Sequence, residues 1–168
     1  MKQAKRIAEC GMMTALSVVI MVVGAVLGIG LYASPMIAGL LLIPLGRKYG
    51  VRYHLALWLA VSLLCFLLVP EIEQNLVYFS FFGSYPMLYP YFQKIKAPLR
   101  KVCKFLYFNV VIIAVEALVM FVLAPEATGA WMLIVFLLLF NVTFVCFDFI
   151  VPRFEIILSR YLQKLKNH

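Results

Sequence analysis

Two carboxyls and two amides interrupt the apolar stretches 105–123 and 131–151. They are Glu116 and Asp148, each with an asparagine seven residues ahead of it, Asn109 and Asn141. A charged side chain inside a bilayer costs about 2.5–3.5 kcal/mol on insertion scales, so each carboxyl needs a partner, a proton or a ligand. Seven residues make two helical turns, which puts Asn109 with Glu116 on one face and Asn141 with Asp148 on another. In an antiparallel hairpin turning within Pro125–Ala130, Glu116 would lie level with Asn141 and Asn109 level with Asp148, since both pairs have the same residue-number sum. Such rungs work as interhelical glue, worth about 0.6–2 kcal/mol each. Alternatively Glu116 lines a polar pocket or a proton path. Asp148, beside a basic stretch, reads as structural.

A second chemical signal is the aromatic run from Phe79 to Tyr91, broken by Pro86 and Pro90. These prolines release the carbonyls of residues 82 and 86, which must then face protein, water or ligand. Broken helices beside polar groups build substrate sites in transporters. The competing reading is a kinked helix with an interfacial aromatic belt. A third signal is the small-residue stripe Ala4, Ala8, Gly11, Ala15, followed by Gly24 and Gly28 in a GxxxG spacing. Small residues let helix backbones approach closely, either inside the bundle or against another protein.

The elements that carry these residues are membrane helices. The chain is 65% hydrophobic and 13% charged over 168 residues, more apolar surface than a soluble domain of that size can bury. All 15 Lys and Arg fall in four clusters, at 2–6, 47–52, 94–104 and 153–166. The stretches between them read as six crossings: Ile7–Leu31, Met36–Gly46 (short, with Pro44), Tyr53–Val69, Leu76–Phe92, Phe105–Leu123 and Trp131–Val151, the last ending at Pro152. The positive-inside rule puts every basic cluster and both termini in the cytoplasm, with Glu71, Glu73 and Glu126 outside. The expected fold is all-α, a polytopic membrane protein with a six-helix transmembrane bundle over 1–152. Residues 153–168 form a cytoplasmic amphipathic helix, with Phe154, Ile157, Leu158, Tyr161, Leu162 and Leu165 on one face and a basic opposite face. That tail suits the inner leaflet or a cytoplasmic partner.

The net charge of +8 is confined to loops and tail, which points to anionic lipid and not to nucleic acid. Cys10, Cys65, Cys103 and Cys146 share no metal-ligand spacing and read as small hydrophobes. No nucleophile, metal or phosphate-loop motif is present. No enzyme activity, catalytic residue, metal or cofactor is therefore expected.

The opening AKRIAECGMMTALSVVIM resembles the start of the substrate-binding S components of energy-coupling-factor transporters. The resemblance covers the first span, with Gly11 in a stripe that is otherwise alanine. It implies that Ala4, Ala8, Gly11 and Ala15 dock on a transmembrane coupling subunit that works with ATPase subunits. It further implies a vitamin-like small solute bound in the outer half of the bundle, which by position points to Glu71, Gln74, Asn75, Tyr78, Ser84, Tyr85, Glu116 and Trp131, with Asn141 opposite Glu116. The expected partners are the lipid bilayer, those subunits and the solute, in a prokaryotic plasma membrane. A different class stays open: a small scaffold or assembly protein without transport activity, like the rod-shape-determining membrane proteins. A proton-coupled carrier is a third reading, without an evident inverted repeat to support it.

Overall fold

The structure, a computed structural model, describes residues 2–28, 33–120 and 130–166; the side chains of residues 2, 130–133, 136, 155 and 157–166 are outside that description. Among the described residues every regular element is helical, with no strand. α1 (Lys2–Leu27) ends where Gly28 takes φ +65°, a left-handed conformation that glycine adopts without steric cost. α2 (Ala33–Tyr49) contains Pro44 and has Arg47 and Lys48 in its last turn. A single residue, Gly50 at φ +100°, reverses the chain into α3 (Val51–Leu68). α1, α2 and α3 pack against one another.

The next segment is broken. α4 (Ile72–Val77) runs into a π-helical turn, Tyr78–Phe82, then a bend at Gly83-Ser84, then α5 (Tyr85–Phe92). Pro86 denies the Phe82 carbonyl its helical donor. That carbonyl lies against Gly39 of α2, so close that a Cβ at Gly39 would collide with it. The Phe79 carbonyl accepts a hydrogen bond from Trp58 Nε1 at 3.1 Å, and the Gly83 carbonyl is 3.2 Å from His54 Nε2. His54 itself fits because Gly46 lacks a side chain. Helix α3 thus supplies two of the donors that the break requires, and the released backbone faces protein.

α6 (Ala97–Leu118) and α7 (Ala130–Lys166) complete the chain. α7 continues through Pro152, correcting the expected stop there: one helix joins the sixth apolar stretch to the tail, although the proline removes the donor of the Asp148 carbonyl and crowds it. The amphipathic pattern from Ile157 onward lies outside the described side chains. The core sits where the π turn meets α6 and α7. Phe81 is 4.7 Å from Phe108, Phe108 stacks on Phe144 at 4.5 Å, and Phe82 meets Phe147 edge-on at 5.0 Å. The aromatic run is therefore largely core, although Phe79 and Tyr91 are exposed.

Three helices among the described residues are long and apolar enough to cross a membrane: Gln3–Leu27, Val51–Leu68 and Leu137–Phe154. They coincide with the first, third and sixth expected spans. Lys48 with Glu9 brings the clusters at 2–6 and 47–52 together, the packing of α5 on α2 and of Lys104 on Tyr89 brings that at 94–104 to the same end, and Gln74 with Met21 puts Glu71 and Glu73 toward the other. That end is called the basic end below, and the end holding Glu71 and Glu73 the acidic end.

Candidate functional site

At the acidic end, α4 carries Glu73, Gln74 and Asn75 in succession into the bundle. Consecutive helical residues are about 100° apart, so they meet three different neighbours. Gln74, fully buried, donates from Nε2 to the Met21 carbonyl of α1 at 2.9 Å and to Ser34 Oγ of α2 at 2.8 Å. Asn75 donates from Nδ2 to the carbonyls of Cys65 and Val69, at 3.2 and 3.0 Å. The Cys65 carbonyl also accepts from the Val69 N–H at 2.8 Å, and the Val69 carbonyl lies just past the end of α3, where the helix supplies no donor. Glu73 interacts electrostatically with Glu116 of α6, the helix on which α4 packs. Glu116 is only 5% exposed.

These amides use their N–H groups and leave their oxygens over. Among the described residues, five buried side-chain oxygens have no hydrogen-bond partner: Glu73 Oε1, Gln74 Oε1, Asn75 Oδ1, Tyr78 Oη and Glu116 Oε1. A buried polar group without a partner costs about 1–3 kcal/mol, and a native domain keeps only a few. Four of the five come from one short helix and the turn after it. Burial first, and then the charges of Glu116 and Glu71, push the Glu73 carboxyl up to about 7. The chain offers no compensating cation, since 7–46, 53–93 and 105–152 contain neither Lys nor Arg.

The basic end is the reverse. Lys104, 5% exposed, places Nζ 2.6 Å from Asp148 Oδ1 and 4.3 Å from the centre of the Tyr89 ring. Tyr85 donates its hydroxyl to the same oxygen at 2.5 Å. The cluster ties α5, α6 and α7 together with its donors and acceptors matched. Between the two ends, Asn109 and Asn141 exchange amide hydrogen bonds, both at 3.1 Å. Asn109 therefore meets Asn141 and not Asp148, seven positions off the expected register, and Glu116 does not pair with Asn141. The register follows Lys104: an ammonium attracts Asp148 more strongly than the Asn109 amide can.

The expected site residues thus divide. Glu116, Gln74, Asn75 and Tyr78 lie at the acidic end, joined by Glu73. Tyr85 belongs to the basic-end cluster. Ser84 bonds back to the carbonyls of Ser80 and Phe81 within its own turn. Asn141 is held by Asn109. Glu71 is exposed, and Trp131 is in α7 with its side chain outside the described residues. Ala4, Ala8, Gly11 and Ala15 are all exposed on one face of α1, and Gly11 has open space where a Cβ would go. Among the described residues, nothing in this chain covers the stripe. Gly28 ends α1 and so takes no part in a helical GxxxG seam.

Lys104 escapes sequence reasoning because it sits in a five-residue basic cluster. Its spacing is the informative signal: Lys104, Phe108, Ile112 and Glu116 recur every four residues, and all four are buried on one face of α6. No group of three His, Cys, Asp or Glu able to hold a metal occurs among the described residues. The four cysteines are free, only Cys65 being fully buried. No family model matches the chain, and no curated protein or solved structure is significantly similar to it.

Proposed function

We propose that this chain is the membrane-embedded solute-binding subunit of an ATP-driven uptake system, with a capture site at the acidic end and a docking face at the basic end. In this reading the bundle crosses the membrane six times, with α2 and the broken stretch from Leu76 to Phe92 as two of the crossings. Both termini lie in the cytoplasm of a prokaryotic cell, and the end of α7 rests on the inner leaflet. The observation that carries the reading is the set of five unpartnered buried oxygens around α4 and Glu116. Residues that serve only as glue are matched, as Asn109–Asn141 and Lys104–Asp148 are. A second observation supports the docking half: the exposed stripe of α1 offers a smooth surface to another membrane helix.

That stripe would serve a scaffold protein equally well, so the two halves need separate tests. The chain is purified from its native membrane under mild conditions and analysed by native mass spectrometry. Co-purified coupling and ATPase subunits together with a bound small molecule are expected. Gly11→Leu should remove the subunits and keep the solute; Glu116→Gln should remove the solute and keep the subunits. Assembly with partners, no solute in any preparation and no effect of Glu116→Gln would establish the scaffold reading instead.

A further inference from the structure

We infer that the solute is a small organic cation with several N–H donors, of the protonated primary-amine type, seated between Glu73 of α4 and Glu116 of α6; this rests on the solute-binding reading above. Charge points there first. Two carboxyls interact inside a bundle whose apolar stretches contain no Lys or Arg, so they are offset either by protons or by a cation from outside the chain. Hydrogen-bond sign points the same way. The N–H groups of Gln74 and Asn75 are spent on Met21, Ser34, Cys65 and Val69, and what remains unpartnered is oxygen. A solute that donates would meet acceptors, whereas an anion would meet almost no donors. A proton on each glutamate would neutralise the carboxyls but supply only two O–H donors against the five oxygens unpartnered among the described residues.

The same molecule shows how this fold holds an ammonium. Lys104 is gripped by a carboxylate oxygen, with a tyrosine hydroxyl on that oxygen and a second tyrosine ring under the nitrogen. The acidic end has two carboxyls and the fully buried Tyr78 but no ammonium of its own. The site's oxygens are closed to solvent in this conformation, so entry requires α4 to move from α6. α4 is suited to that: it is six residues long, follows Pro70 and ends in a π turn.

The test uses the full chain in phosphate buffer free of amines, with n-butylamine and putrescine as probes against n-butanol and butyrate. The thermal midpoint should rise with both amines and not with the alcohol or the acid. Glu116→Gln and Glu73→Gln should each weaken amine binding about tenfold or more, as loss of a charge-assisted hydrogen bond does. Binding of butanol or butyrate as strong as that of butylamine overturns the inference. So does unchanged amine affinity in Glu116→Gln, a response to sodium or potassium chloride alone, or no response to any amine. Wild-type selectivity among the four probes decides the matter even where a variant fails to fold. A neutral or anionic solute carried by a chain that still co-purifies with an ATPase overturns the amine class alone. Absence of both solute and partner overturns the transport reading.

Discussion

One face of α6 buries two opposite charges, and they stand in opposite circumstances. Lys104 at the basic end meets Asp148, Tyr85 and Tyr89; Glu116, twelve residues and about 18 Å further along, has an oxygen without a partner and a second carboxyl for a neighbour. Both groups are costly to bury. Among the described residues the first cost is offset, and the second is not. Local matching of the Lys104 kind marks a structural device. On the proposed reading, local mismatch of the Glu116 kind marks a place where a solute completes the chain.

The comparison breaks most visibly at Lys104. Lys104→Met leaves Asp148 and the Tyr85 hydroxyl without their cation, and removing one partner of a buried pair is strongly destabilising. A loss of about 3 kcal/mol is expected, read as a shift in the unfolding midpoint in detergent micelles. Adding Asp148→Leu should recover most of it, because an apolar pair of similar volume replaces a buried ion pair at little cost. If the double variant is as weak as the single one, the cluster's value lies in Tyr85 and not in the ion pair.

A smaller effect of opposite origin is expected from pH at the acidic end. Glu73 titrates near 7 in the folded chain and at the usual 4.5 when unfolded. Between those values the folded state binds more protons, so stability falls as pH rises from about 4.5 to 7 and levels off above that. Burial sets most of this, and Glu116 across the interface and Glu71 on the same segment add to it. The expected loss is on the order of 1–3 kcal/mol, and Glu73→Gln should flatten the curve over that window. Stability that rises through the same window would mean Glu73 has a cationic partner.

The helices and the polar residues that interrupt them are legible in the sequence, because apolar runs between basic clusters leave few alternatives. Pairing is not. By sequence Lys104 is one more surface charge of its cluster, although its four-residue spacing with Phe108, Ile112 and Glu116 puts it on the buried face. That one residue shifts the α6–α7 register away from the symmetric ladder that Asn109, Glu116, Asn141 and Asp148 suggest. The break at Pro86 is legible as a break, but its receivers are not. Gly39 for the Phe82 carbonyl, His54 for that of Gly83 and Trp58 for that of Phe79 lie on α2 and α3, and nothing local in their sequence links them to residues 79–83. For Asn141, Ser84 and Tyr85, residue type and depth suit a site, and partners elsewhere in the chain claim them.

Between the two extremes lies the Asn109–Asn141 pair. Replacing Asn109 by Leu removes a matched, half-buried pair and leaves Asn141 with its helical Leu137 carbonyl bond. The expected loss is about 0.6–2 kcal/mol, measured in the same unfolding assay, with Asn141→Leu equivalent and the double variant no worse than either. A loss as large as that of Lys104→Met would make the middle of the α6–α7 seam, and not its basic end, the main tie between these helices.

The smallest effect on stability is expected where the effect on solute binding is largest. Glu116→Gln keeps the shape of the side chain and removes an ionisable group for which the chain supplies no cation. The amide brings two donors to a region with four other unmet oxygens. Stability should therefore stay within about 1 kcal/mol of the parent or rise slightly, while the Glu73 titration moves down as its negative neighbour is lost. A thermal melt and a pH series on the same preparation check both. A loss comparable to that of Lys104→Met would mean that the chain itself satisfies Glu116 as fully as it satisfies Lys104, and the difference between the two ends of α6 would no longer point to a solute.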